Sequence, residues 1–222
     1  MPAILVLLSF IALLAAPPAR AGAWLQEPGA GFLSVTSTLR SDGPEGMLEN
    51  AIYGEFGIGP RLTFGIDIHQ RPGLSGHTLA FLRVPLGPAE GRSRLALQAG
   101  FGGYHLWGRW DGMARFTLSF GHGFRLGRSP GWLALDAGLE YRRGLPGPAL
   151  KLDATAGLSG PGALRPILQV ETYRLAGQDL IWTLRPGVTI DGPWGLTWIV
   201  GLEHKSTLPG TLGLKLGFWR RF

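Results

Sequence analysis

The C-terminal stretch LGLKLGFWRRF, residues 212–222, alternates between two kinds of residue. Its even positions are Leu212, Leu214, Leu216, Phe218, Arg220 and Phe222, and its odd positions are Gly213, Lys215, Gly217, Trp219 and Arg221. Side chains alternate across a β-strand with period two, so this stretch presents one apolar face and one small or charged face. The pattern recurs upstream. From Trp194 one face reads Trp194, Leu196, Trp198, Val200, Leu202. From Leu180 it reads Leu180, Trp182, Leu184, Pro186, Val188, Ile190, and from Leu150 it reads Leu150, Leu152, Ala154, Ala156, Leu158. Carried along the chain, the alternation predicts twelve strands at 31–39, 48–58, 61–70, 77–86, 93–104, 113–125, 132–142, 149–158, 164–174, 180–190, 194–205 and 211–222. Strands of soluble proteins are most often about 5–6 residues long, whereas tilted strands that cross a bilayer need roughly 9–11. These segments have the longer length.

Composition agrees. Glycine supplies 36 and proline 17 of the 222 residues, against average usage of roughly 7% and 5%. Hydrophobic residues make up 45% and charged residues 16%, which excludes a disordered chain, and no G-x-y period supports collagen. The glycines therefore belong to turns and extended segments. The net charge of +6 is dispersed, with Arg142-Arg143 and Arg220-Arg221 the only adjacent basic pairs, so no nucleic-acid-binding element is expected. The absence of cysteine excludes disulfides, zinc-thiolate sites, thiol nucleophiles and lipoprotein acylation.

Residues Ala3–Ala16 form an apolar run of signal-peptide length, too short to span a bilayer, and Ala19-Arg20-Ala21 supplies a small-x-small cleavage pattern. No Lys or Arg precedes the run, a departure from the usual pattern. The expected organisation is a signal peptide at 1–21, a short periplasmic lead at 22–30 and one barrel domain at 31–222. GPR at 59–61 and DGP at 191–193 read as tight hairpin turns. An even strand number places both termini on one side, so the outward connections are about 40–47, 71–76, 105–112, 143–148, 175–179 and 206–210. None of these is long enough to fold inside as a plug. Pro85, Pro166 and Pro186 fall inside proposed strands and are expected to mark bulges or breaks.

A leader, some twelve alternating strands and a terminal Phe222 together resemble bacterial outer-membrane β-barrel proteins. The pattern Leu214-x-Leu216-x-Phe218-x-x-x-Phe222 is similar to the C-terminal strand that the barrel-insertion machinery reads. The stretch YGEFGIGPRLTFGIDI (53–68) resembles a hairpin of outer-membrane transporters found near aromatic-degradation pathways. The resemblance implies a location in the outer membrane, contact with its lipid and lipopolysaccharide, and transport of small solutes. The physical argument converges on the same fold. Lipid offers no partner for backbone polar groups, so spanning strands must close: an all-β, closed antiparallel up-and-down barrel of about twelve strands. Phe64, Phe116, Phe120, Trp182, Trp194, Trp198, Phe218 and Phe222 are placed on the lipid side as interfacial girdles. A soluble barrel or sandwich with the apolar face inward is the competing reading.

With the apolar faces outward, the lumen receives the charges. The residues expected to line it are Glu55, Asp67, Arg83, Arg94, Arg115, Asp136, Glu140, Lys151, Glu171, Arg185, Glu203 and Lys215, with opposed signs setting selectivity. Of these, Arg115, Arg185, Asp136 and Glu171 are the strongest candidates. Lumenal glycines at 57, 65, 100, 102, 138, 157, 187, 195, 201, 213 and 217 are expected to leave room. A turn centred between Leu145 and Pro146 would set Glu140 opposite Lys151. The cationic excess points to anionic or neutral solutes. The expected function is a channel or facilitator for small polar or amphipathic solutes, without cofactor, catalytic residue or metal.

Three alternatives attach to other residues. His69 and His77, opposed across a turn at Gly73 beside Asp67, form the one metal-like pair. His204-Lys205-Ser206 is similar to the His-x-Ser element of outer-membrane lipid A deacylases, which implies a rim lipid acyl hydrolase, although no suitable acid follows to orient the histidine. The last alternative is a closed structural barrel. GFGGYH (100–105) has no following helix and is not a phosphate loop.

Overall fold

In the computed structural model, which describes residues 22–41, 47–88, 91–160 and 162–222, the chain forms twelve strands. They are β1 (Gly31–Arg40), β2 (Met47–Gly59), β3 (Leu62–Arg71), β4 (Ser75–Pro85), β5 (Ser93–Leu106), β6 (Arg109–Leu126), β7 (Ser129–Arg142), β8 (Ala149–Leu158), β9 (Arg165–Leu175), β10 (Ile181–Asp191), β11 (Leu196–Lys205) and β12 (Gly213–Arg221). Each pairs antiparallel with its neighbours in sequence, and β1 pairs with β12 from Phe32↔Arg221 to Arg40↔Gly213. The sheet is a closed barrel with no free edge. Residues 1–21, where the leader was placed, lie outside the described residues.

The barrel wears its apolar face outside. Leu39, Ile52, Phe64, Leu97, Phe116, Leu152, Trp182, Trp198, Leu214 and Phe222 are all exposed, while the residues between them point inward. A ten-residue strand at about 3.3 Å per residue, tilted by roughly 40°, rises about 25 Å, the height of the apolar band of an outer-membrane barrel. The soluble reading, which needs this face buried, does not survive. Aromatic residues mark both ends. Trp194, Phe222 and the Trp198–Phe218 pair at 5.9 Å lie near the end that carries the termini, and Trp182, Tyr141, Trp107 and Trp110 lie near the opposite end.

Three local expectations are corrected. Residues 105–112 are not a loop: β5 and β6 continue to a two-residue turn at Trp107-Gly108, both with positive φ (51° and 79°). That geometry suits a hairpin because its twist matches the strands, and Gly108 accepts the left-handed conformation. Next, Lys151 faces Gly138 rather than Glu140, which faces Ala149. The 143–148 connection turns one residue earlier than the prolines suggested, with Gly144 at φ 84°. Of the three prolines, Pro186 marks the expected break and none makes a bulge; the register shift lies at Gly57/Gly59. Pro85 and Pro166 sit near strand ends, paired with Ala96 and Val188. Pro186 pairs with Leu168 on β9, but the β10–β11 ladder skips Arg185 and Pro186 and resumes at Gly187↔Gly201, as a missing donor requires.

Residues 22–30 turn back into the barrel. Gly31 and Phe222 exchange backbone hydrogen bonds (2.7 and 3.1 Å), which fixes the entrance. Pro28 then bridges Gly57 in parallel, and a β-carbon on Gly57 would collide with the Glu27 carbonyl. Beyond this point Trp24 is buried against Trp132, Ala134 and Ile167. The lead is part of the interior.

Candidate functional site

The inward faces carry the charges, and the closed sheet forces them together in a space that water reaches only in part. Charges removed from water must be paired and hydrogen-bonded, so the interior is organised as ion-pair clusters. One cluster joins the ends of the sheet where β1 meets β12. Glu203 on β11 accepts hydrogen bonds from Arg40 Nε on β1 at 2.7 Å and from Arg185 Nε on β10 at 2.6 Å. Arg185 also pairs with Glu171, and Arg40 reaches Glu49 at 3.0 Å. Beside them Lys215 Nζ donates to Gln169 at 2.8 Å.

A second cluster centres on Arg115. It donates to Glu140 at 2.7 and 2.9 Å and pairs with Asp67. Arg142 donates to the other oxygen of Glu140 at 2.8 Å. His77 stands 3.3 Å from Asp67, and His69 stands 2.7 Å from Glu49. The two imidazoles stack with centroids 5.6 Å apart, as the turn at Gly73 predicts. Each is turned to a different carboxylate, and no group of three ligands fit for a metal occurs among the described residues.

The third cluster lies nearer the termini. Arg83 donates to Tyr53 and Gln98 at 2.7 Å each and pairs with Glu55, which also accepts from Tyr53. The lead joins here: Gln26 Nε2 donates to Glu55 at 2.7 Å, and the Gln26 backbone N–H donates to the Thr63 hydroxyl at 3.0 Å. Across the lumen, Ser119 donates to Asp136 at 2.5 Å, and Lys151 lies 3.5 Å from Asp153. Arg94 lines a cavity of about 270 Å³ at the terminal end, with Trp24, Arg92, Phe124, Arg125 and Trp132.

All twelve residues singled out from the sequence thus point inward. Arg40, Tyr53, Gln98 and the lead residues Trp24 and Gln26 were missed. Arg40 was lost because the first strand was ended at residue 39; extending the alternation by one position places it on the inner face. The glycines do not leave the room expected of them. Gly65 seats the Phe81 ring, Gly157 seats Trp132 at 2.9 Å from where a β-carbon would stand, and Gly121 seats Trp24 at 2.6 Å. Gly195 is not lumenal at all; it closes the 3-10 turn Pro193–Gly195 with φ 72°.

Openness is uneven. Glu203 and Glu140 are 1% exposed, whereas the inward Asp67, Lys151, Asp153 and Glu171 side chains are 21%, 24%, 26% and 41% exposed. Side chains that point into a barrel and yet meet water define a wet track, here along β3, β8 and β9. The hydrolase constellation is not assembled. The Ser206 hydroxyl accepts from the Trp182 backbone N–H at 3.0 Å, His204 packs on the Trp182 ring at 5.4 Å, and Glu203 is committed to Arg40 and Arg185.

No protein-family model matches the sequence, and no curated protein matches it. Solved structures do match in fold. The KdgM porin superposes with a TM-score of 0.60 at 9% identity, over 85% of this chain and 99% of that one. An outer-membrane channel from Pseudomonas putida F1 gives 0.52 at 11% identity, over 93% of this chain and 100% of that one. The outer-membrane protein Omp33 of Acinetobacter baumannii gives 0.51 at 8% identity, over 87% of this chain and 99% of that one. This chain has the fold of bacterial outer-membrane β-barrels.

Proposed function

We propose that this protein is a bacterial outer-membrane channel through which small polar or amphipathic solutes diffuse passively along a charge-lined lumen. The observation that carries the reading is the wet track: inward Asp67, Lys151, Asp153 and Glu171 keep contact with water inside a barrel whose outer surface is made for lipid. The twelve lumenal residues divide by role. Glu55, Arg83, Glu140, Arg185 and Glu203 hold the wall in shape through sealed pairs, with Arg94 near the terminal end and Lys215, bonded to Gln169, beside the Glu203 cluster. Asp67, Lys151 and Glu171, joined by Arg115 and Asp136 at the margins of the track, replace part of a solute's hydration and screen its charge.

Three of the four track residues are acids, Asp67, Asp153 and Glu171, but each is paired with a cation, Arg115, Lys151 and Arg185 in turn, so selectivity is weak. Bases exceed acids over the inner faces, which tilts the preference toward anionic or neutral solutes. The KdgM porin is described in complex with disordered oligogalacturonate, a longer guest than this partly filled lumen suits. No covalent step is needed, and no cofactor enters. Outer-membrane lipid and lipopolysaccharide are the partners of the apolar band, and the strand that ends in Phe222 is the signal read by the insertion machinery. The turns between β2 and β3 and between β10 and β11 then face the periplasm, together with both termini.

Swelling of liposomes that contain the purified protein tests solute passage. Small neutral amides and amino acids are expected to enter, and disaccharides are expected to be excluded because Trp24, Phe81 and Trp132 fill the terminal half. Equal swelling rates with and without protein would overturn the channel reading.

A further inference from the structure

We propose that removal of the leader after Ala21 creates an α-ammonium on Gly22 that pairs with Asp136 inside the barrel and pins residues 22–30 across the lumen. The carboxylates of the interior follow one rule: every lumenal acid described above is paired with a cation, except Asp136. Among the described residues Asp136 has a single hydrogen-bond donor, the Ser119 hydroxyl at 2.5 Å. This half-buried carboxylate has one neutral donor and, among the described residues, no cation within ion-pair distance.

The backbone of Gly22 is beside it. A β-carbon on Gly22 would stand 3.4 Å from Asp136 Oδ1 and 3.6 Å from Oδ2. The Gly22 nitrogen is bonded to the same α-carbon, so it occupies the same neighbourhood. In an uncleaved chain that nitrogen is a neutral amide. After cleavage it is an ammonium with three donors, the group the carboxylate lacks. The sequence independently places the cleavage at this bond through the small-x-small pattern Ala19-Arg20-Ala21.

The rest of the lead holds the amine in place. Ala23 is 1% exposed, Trp24 sits on Gly121 within the Trp132–Ile167 cluster, and Gln26 is bonded to Glu55 and Thr63. The lead therefore runs from the β2–β3 wall to the β6–β7 wall and is fastened at both. Export and maturation then determine the width of the lumen: the processed chain carries its own partial plug. The inference rests on the export reading of the leader and holds whether or not the barrel conducts.

Chemical labelling of the α-amine tests it. The protein is exported with its own leader, extracted from the outer membrane and treated with an acetylating reagent at neutral pH, with the Gly22 peptide followed by mass spectrometry. The native α-amine is expected to react roughly tenfold or more slowly than in the urea-unfolded protein. Asp136→Asn is expected to remove most of that protection. A refolded chain with one alanine inserted ahead of Gly22 is expected to lose it too, because its ammonium lies beyond the carboxylate. An intact mass that places the mature start elsewhere, equal native and unfolded rates, or undiminished protection in either variant would overturn the proposal.

Discussion

Glu203→Ala is expected to destabilise the folded barrel by about 3–5 kcal/mol, the cost of leaving a buried charge without its partner. Here one carboxylate serves two guanidiniums. Its side chain accepts from Arg40 at 2.7 Å and Arg185 at 2.6 Å and is sealed from water. Arg40 stands on the first strand, which closes the sheet against β12, and Arg185 stands beside the ladder gap at Pro186. The loss therefore falls where backbone pairing is already interrupted. Urea titration in detergent micelles, read by tryptophan fluorescence and by the gel mobility shift of the folded barrel, should show a midpoint well below that of the parent. Glu203→Gln keeps the shape and loses the charge, so its midpoint should lie between. Added salt should change the differences little, because screening is weak for sealed pairs. A midpoint equal to the parent's would mean that the cluster contributes no net stability.

Trp24→Ala is expected to raise unit conductance several-fold. The Trp24 ring sits against Gly121 inside the lumen, in a cluster with Trp132, Ala134, Ile167 and Trp219. Truncating a buried tryptophan forfeits roughly 3–5 kcal/mol. The Gln26 hydrogen bonds, the Pro28 bridge and the proposed Gly22–Asp136 pair still tether the lead, so this loss empties the space that the ring filled without freeing the segment. The strands keep their pairing, and the urea midpoint should fall less than in Glu203→Ala. An unchanged conductance would place the narrowest part of the channel elsewhere, beside the Arg115 cluster.

The barrel itself was legible because its cause is local. Lipid on one face and charge on the other impose a period of two on every strand, and that period is written residue by residue from Gly31 to Phe222. Strand ends were less legible where a turn residue has strand character: Trp107-Gly108 continues an alternation that tryptophan does not interrupt. The inward direction of the charges followed from parity, as the His69–His77 pair illustrates. Their partners did not follow, because pairing across a closed sheet joins residues such as Arg40 and Glu203, 163 positions apart in sequence. The lead was the least legible part. Trp24 and Gln26 carry no periodic signal over so short a stretch, and their place in the lumen depends on glycine sockets at 57 and 121 supplied by strands far along the chain.

The most direct measurement is the single-channel conductance of the protein in a planar bilayer, with the reversal potential taken across a salt gradient. Discrete, narrow steps with a weak anion preference are predicted, and the preference should fall when Arg115 or Lys151 is replaced. An inserted, folded protein that passes no current in either orientation would contradict the channel and leave a closed structural barrel.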